Sequence, residues 1–95
     1  MRFEWDENKN ESNIHKHGLD FSDSIEMFDS PMVTCPDNRF DYGEERYIGI
    51  GLTQNRVAIV VFTEKNDDVI CIISLRKAKK HEHKIFEKQI KNRLG

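Results

Sequence analysis

Cysteine is scarce: Cys35 and Cys71 are the only two in 95 residues. That excludes a disulfide framework and fits a reducing, cytoplasmic setting. No window approaches the roughly 18 apolar residues of a membrane-spanning helix, so no membrane role is expected. The opening Met1-Arg2-Phe3-Glu4-Trp5-Asp6 lacks the apolar stretch and cleavage site of a secretory signal. Glycine forms no phosphate-binding loop, since Gly49-Ile50-Gly51 falls inside a strand pattern. Walker, Ser/His/Asp and Cys/His catalytic patterns are missing too. His15 and His17, like His81 and His83, stand two apart, so on a helix each pair would diverge. No Cys/His set has zinc spacing, and neither a metal nor a cofactor is expected. Both cysteines read as small buried apolar residues.

Charge is plentiful and uneven. Charged residues make up 34% of the chain against 37% apolar, and the mean hydropathy is −0.72. Residues 1–45 carry 12 acidic and 4 basic side chains, while residues 46–95 carry 5 acidic and 11 basic. Eight Lys or Arg lie between Arg76 and Arg93. Such a split suits either an anionic partner such as nucleic acid or attraction between the two halves of the fold.

The length allows one domain, residues 1–95, and no repeat or linker divides it. Arg2–Trp5 alternates like a short strand. A helix is predicted over Glu7–His17, capped by Asp6 and closed by Gly18, with Ile14 its main apolar contact. A second helix is predicted from Phe21, with Phe21, Ser24, Ile25 and Phe28 on one face, Asp20 or Ser22 as cap and Pro31 as stop. Met32–Cys35, Tyr47–Leu52, Arg56–Thr63 and Val69–Ser74 read as strands, with an irregular connection over Thr34–Glu45. A last helix is predicted over Ala78–Arg93. Its Ala78, Ile85, Phe86 and Ile90 oppose a stripe of Lys77, Lys80, Lys84, Lys88 and Lys91. The order β-α-α-β-β-β-β-α implies an α+β fold with a small antiparallel meander, two N-terminal helices and one C-terminal helix.

Four residues are candidates for chemistry. Arg76 sits where the last strand gives way to the basic helix, and its guanidinium could grip a phosphate or pair with Glu44, Glu45 or Glu64. Arg46 opens the first long strand beside Glu44 and Glu45. His17 stands in the last helical turn before Gly18, as an acid or base or as a dipole-stabilised structural residue. Glu64 ends the second long strand, as a site carboxylate or a turn-flanking charge. Lys77, Lys80 and Lys84 could follow an RNA backbone or face solvent. Phe3, Trp5, Phe21, Phe28, Phe62 and Phe86 have core periodicity, which argues against a base-stacking sheet surface.

Four groups of residues together resemble one family. They are Phe3-Glu4-Trp5-Asp6 with Lys9 and Asn13; Lys16-His17-Gly18 with Phe21, Phe28 and Asp29-Ser30-Pro31; Glu45-Arg46 with Ile48-Gly49; and Thr63-Glu64 with Ile72-Ile73-Ser74-Leu75-Arg76-Lys77-Ala78, Glu82, Phe86 and Glu87. In order and spacing they resemble the BrnT toxins of bacterial type II toxin–antitoxin systems. The resemblance implies a RelE-like fold and a metal-independent endoribonuclease that inhibits translation by cutting RNA. It implies a hetero-oligomer with a BrnA-type ribbon-helix-helix antitoxin, which would carry the complex to operator DNA. With that activity, Arg76 is the first choice to hold the phosphate and Arg46 the second cation. His17 is the acid or base and Glu64 an alternative base, with Lys77, Lys80 and Lys84 on the RNA. The alternative is an inactive relative that only binds antitoxin and acts as corepressor.

Overall fold

The computed structural model describes residues 1–66 and 68–94. Its elements are β1 (Arg2–Glu4), α1 (Glu7–His17), a 3₁₀ segment (Phe21–Asp29), β2 (Val33–Pro36), β3 (Tyr47–Thr53), β4 (Arg56–Lys65), β5 (Val69–Lys77) and α2 (Lys80–Leu94). The strands form one sheet in the order β1-β5-β4-β3-β2. β2 to β5 make the expected antiparallel meander. β1, however, pairs in parallel with β5, Arg2 opposite Val69 and Glu4 opposite Cys71, so the sheet is mixed. Alternation within Arg2–Trp5 reports a strand but not its partner. Here β1 takes the outer edge of β5, and Phe3 and Trp5 pack against the core.

Local signals place the chain ends of α1 as expected. The Asp6 carboxylate accepts from the Asn8 and Lys9 amides, and Gly18 closes the helix at φ 72°, a left-handed conformation that glycine adopts freely. The docking face differs. Ile14 is 41% exposed, and the buried residues of α1 are Asn10 and Asn13. Asn10 Oδ1 accepts from the Phe21 amide at 2.8 Å. Asn13 Nδ2 donates to the Leu19 and Leu75 carbonyls at 2.9 and 2.8 Å, and its Oδ1 accepts from the Leu75 amide at 3.2 Å. β1 pairs only as far as Cys71, so Asn13 serves Leu75 as a missing strand neighbour would.

The second predicted helix is a 3₁₀ segment. Its buried residues Phe21, Ser24 and Met27 recur every third position, the 3₁₀ period, and Phe28 packs at the margin of the core. Asp20 caps it in a reciprocal box with Asp23. The β3–β4 hairpin turns through Gln54 and Asn55, both at positive φ, as a tight two-residue turn requires. Neither cysteine is buried: Cys35 is exposed on edge strand β2 and Cys71 is half-buried.

β4 is central and buried along most of its length. Its Ala58, Val60 and Phe62 join Leu19, Phe21, Met27, Ile70, Ile72 and Leu75 in the main core beneath α1 and the 3₁₀ segment. Val57, Ile59 and Val61 alternate to the opposite face, where α2 packs beside β2 and β3 and buries Phe86. α2 starts at Lys80 rather than Ala78. The Ala78 amide donates instead to the Val57 carbonyl at 3.1 Å, which extends the ladder and leaves Lys77 in β5.

One irregularity decides where Arg76 points. Val61 is opposite Ser74 while Phe62 is opposite Ile72, so Ile73 is an extra residue in β5. Strict alternation would place Ile70, Ile72, Ser74 and Arg76 on one face. The bulge shifts that parity by one. Leu75 thereby enters the core, and Ser74 and Arg76 turn to the second face.

Candidate functional site

On that second face a cleft of about 300 Å³ is lined by Arg39, Ile48, Ile59, Val61, Ser74, Arg76 and Glu82. Its floor is apolar sheet and its polar rim holds two arginines and one glutamate. Arg76 meets Glu82 through two parallel bonds, Nη1 to Oε1 and Nη2 to Oε2, both 2.8 Å. Its sequence-level alternatives Glu44, Glu45 and Glu64 are not its partners. Arg76 Nη1 also donates to the Lys77 carbonyl at 3.2 Å. Glu82 stands three residues after Lys79 and accepts from the Lys79 amide at 2.7 Å, the carboxylate half of a capping box. The helix start therefore fixes the carboxylate, and the carboxylate fixes the arginine.

This pairing sets the charges. Hydrogen bonds from Arg76 are the main reason that Glu82 is lowered to about 2, with the Lys79 amide adding to it. So acidic a carboxyl is a poor proton acceptor near neutral pH, and Glu82 is a positioning group. The same bonds raise Arg76, while the nearby Arg39 charge opposes its ionisation.

Arg39 comes from the connection between β2 and β3, which sequence reasoning left without a role. Asp37 organises this stretch. Its side chain is fully buried, accepts from Arg39 Nε and Nη2 at 2.8 and 2.9 Å and from the Tyr42 hydroxyl at 3.2 Å. The Arg39 bonds hold its carboxyl down at about 2.

Both depressed carboxyls predict an acid limb of stability. Their ordinary values are 3.8 and 4.5 and their folded values about 2. A lowered folded value favours the native state where the group is ionised, so the contribution is complete above about pH 4.5 and is lost as the pH falls toward 2. The thermal midpoint, measured from pH 6 to 2.5, is expected to fall across this window. Asp37→Asn and Glu82→Gln should each be less stable at pH 6 and show a shallower fall.

A second cavity, of about 390 Å³, lies where α1 crosses β5 and is lined by Asn8, Lys9, Ser12, Asn13, Lys16, His17, Ile73 and Ser74. Ser74 lines both this cavity and the Arg76 cleft. His17 and Arg76 thus flank β5 at Ser74. Arg46 and Glu64 line neither cavity. Arg46 lies over the Tyr42 ring, its guanidinium carbon 4.0 Å from the centroid, and Glu64 is exposed near the end of β4. Lys77, Lys80 and Lys84 are exposed, Lys77 on β5 and the other two on the first turns of α2. Among the described residues, no group of three or more His, Cys, Asp or Glu is placed to hold a metal ion. No helix among them is long and apolar enough to cross a membrane.

Sequence reasoning missed Arg39 and Glu82 as members of the site. Glu82 carried a signal, since a glutamate three residues after a helix boundary is a capping position. Arg39 carried only its two-residue spacing from Asp37.

A small α+β domain with a cationic cleft on one face of its sheet suits the handling of anionic polymers, and comparison with known proteins agrees. Residues 5–82 match the family model described as the ribonuclease toxin, BrnT, of type II toxin–antitoxin systems. The crystal structure of the Brucella abortus ribonuclease toxin, BrnT, determined at 1.1 Å resolution, superposes with a TM-score of 0.69 at 33% identity, covering 84% of this chain and 99% of that one. A search of curated protein sequences returns no match. The chain belongs to the BrnT family of ribonuclease toxins.

Proposed function

We propose that the chain is a metal-independent endoribonuclease of RelE-like type that inhibits translation by cutting RNA. The observation that carries this reading is the Arg76–Arg39 cleft beside Ser74, with His17 across the same strand. In metal-free cleavage the ribose 2′-oxygen attacks the adjacent phosphorus and the bond to the 5′-oxygen breaks. The products are a 2′,3′-cyclic phosphate and a 5′-hydroxyl. The step needs a base for the 2′-hydroxyl proton, an acid for the leaving oxygen, and donors for the charge that builds on phosphorus oxygens.

RNA laid over β5 at Ser74 meets Lys9, Lys16 and His17 on one side and Arg39 and Arg76 on the other. Glu82 occupies one edge of the Arg76 fork, and the remaining N–H groups of that guanidinium serve the phosphate. His17 carries the proton. Glu64 is the alternative base and Arg46 the alternative cation, each for RNA that extends toward the far end of β4. Lys77, Lys80 and Lys84 supply longer-range attraction, which salt screens.

The partner in this reading is a BrnA-type ribbon-helix-helix antitoxin. Its acidic or apolar segment covers the cationic face around Arg76, and its DNA-binding domain takes the complex to operator DNA. A second reading, an inactive corepressor, is favoured by one feature: Glu82 already engages both terminal nitrogens of Arg76. Induced expression separates the two. Growth arrest with loss of intact RNA, relieved by Arg76→Ala or by co-expressed antitoxin, is the expected result. Normal growth with intact RNA and soluble, folded protein would favour the corepressor.

A further inference from the structure

The connection Asp37–Arg46 contains no helix or strand, yet it is built. The Asp37 amide donates to the Arg46 carbonyl at 2.7 Å and closes its neck, and the buried Asp37 carboxylate ties Arg39 and Tyr42 inside it. On this fixed frame Phe40 is 70% exposed. Its ring meets that of Tyr42 edge-on, with centroids 5.8 Å apart, and Arg46 lies over Tyr42 in turn. Beside Phe40 opens a cavity of about 230 Å³, bordered also by Asp41, Tyr42, Glu44, Arg46 and Tyr47. Arg46 Nε is the one buried side-chain nitrogen or oxygen among the described residues without a hydrogen-bond partner. Glu44 Oε2, at 3.6 Å, is too far to accept from it.

An exposed aromatic face, an unspent cationic donor and carboxylates around one cavity match the chemistry of a nucleobase. We propose that this loop reads a guanine base of the bound RNA, with the base stacked on Phe40. The inference rests on RNA being the ligand of the Arg76 cleft. Arg39, next to Phe40, lines that cleft, so a base held here stays attached to a backbone passing Arg76. Guanine fits the donor and acceptor set. Its O6 and N7 accept from two N–H groups of the partly exposed Arg46 guanidinium, and its N1–H and amino group donate side by side to a carboxylate, Asp41 or Glu44. Adenine and cytosine present a ring-nitrogen acceptor beside their amino group, which a carboxylate repels. Uracil offers one donor between two carbonyls.

The test uses the full chain and labelled 2′-O-methyl hexauridines that carry one central guanine, inosine or adenine, read by fluorescence anisotropy. Such oligonucleotides cannot be cut through their 2′-oxygens, so binding is read apart from cleavage. The guanine form is expected to bind at least about ten-fold tighter than the adenine form, with inosine between them because it lacks the amino group. Phe40→Ala should cost about ten-fold or more in affinity, the range for a lost base stack, and Phe40→Trp should keep it. Phe40 is exposed, and a circular-dichroism melt confirms that both variants are folded. Equal affinity for all three oligonucleotides overturns the proposal, as does unchanged RNA binding by Phe40→Ala. Phe40→Ala that loses antitoxin but not RNA also overturns it and gives the loop to the protein partner. A guanine preference without cleavage of the matching all-ribose oligonucleotide supports the base site and removes the ribonuclease reading.

Discussion

Replacing Arg76 with alanine is expected to slow RNA cleavage by about 10²–10³-fold, the usual effect of removing one donor from a developing oxyanion. On the proposed mechanism the fork geometry matters, and not charge alone. Arg76→Lys keeps the cation but gives up the two parallel bonds to Glu82, so it should recover only a minor part of the activity. Stability must be read alongside, because alanine leaves the Glu82 carboxylate with the Lys79 amide as its remaining partner. Arg76 is partly solvent-exposed, which limits that cost to about 1–2 kcal/mol. Arg76→Ala should therefore stay folded at 25 °C while activity is lost. A variant that melts normally and cleaves like wild type would move the chemistry away from this cleft.

The largest stability effect of a polar residue is expected at Asn13. Its amide satisfies the Leu75 N–H and C=O and the Leu19 carbonyl, all buried. Alanine would strand these groups, each at about 1–3 kcal/mol, less whatever water can reach. A net loss of about 2–4 kcal/mol follows, or a thermal midpoint lower by roughly 10–25 °C for a domain of this size. Asn13→Asp should be no better, since it keeps the acceptor but turns a carboxylate toward two carbonyls. Equilibrium denaturation of Asn13→Ala against Ile14→Ala is the direct comparison. Ile14 is the apolar residue that the sequence puts forward, yet it is largely exposed and should cost under about 1 kcal/mol.

That contrast shows what the residues reveal on their own. Local rules were legible: Asp6 and Gly18 bound α1, and Asp20 caps the next segment. They depend on a few neighbouring residues, so a single sequence carries them. Tertiary choices were not. A docking face made of two asparagines has no apolar period to betray it. The 3₁₀ and α readings of Phe21–Phe28 differ only in whether Met27 or Ile25 turns inward. The bulge at Ile73 reverses the facing of Arg76, and nothing in the run Val69-Ile70-Cys71-Ile72-Ile73-Ser74 marks which residue is extra. Arg76 stands out in the sequence because it follows an apolar run and fits a family pattern. Its neighbours Arg39 and Glu82 were set by long-range folding and by a helix cap. The Asp37–Arg46 loop was legible only as irregular, because its order comes from one buried carboxylate and not from a repeating pattern.

On the proposed mechanism this chain cuts RNA at Arg76 without a metal ion. The most direct measurement incubates purified protein, free of antitoxin, with a defined RNA in excess EDTA and analyses the new ends, for wild type and Arg76→Ala. Wild type is expected to give fragments with 2′,3′-cyclic phosphate and 5′-hydroxyl ends, and the variant little cleavage. Cleavage only with added magnesium, or equal cleavage by both proteins, would contradict it.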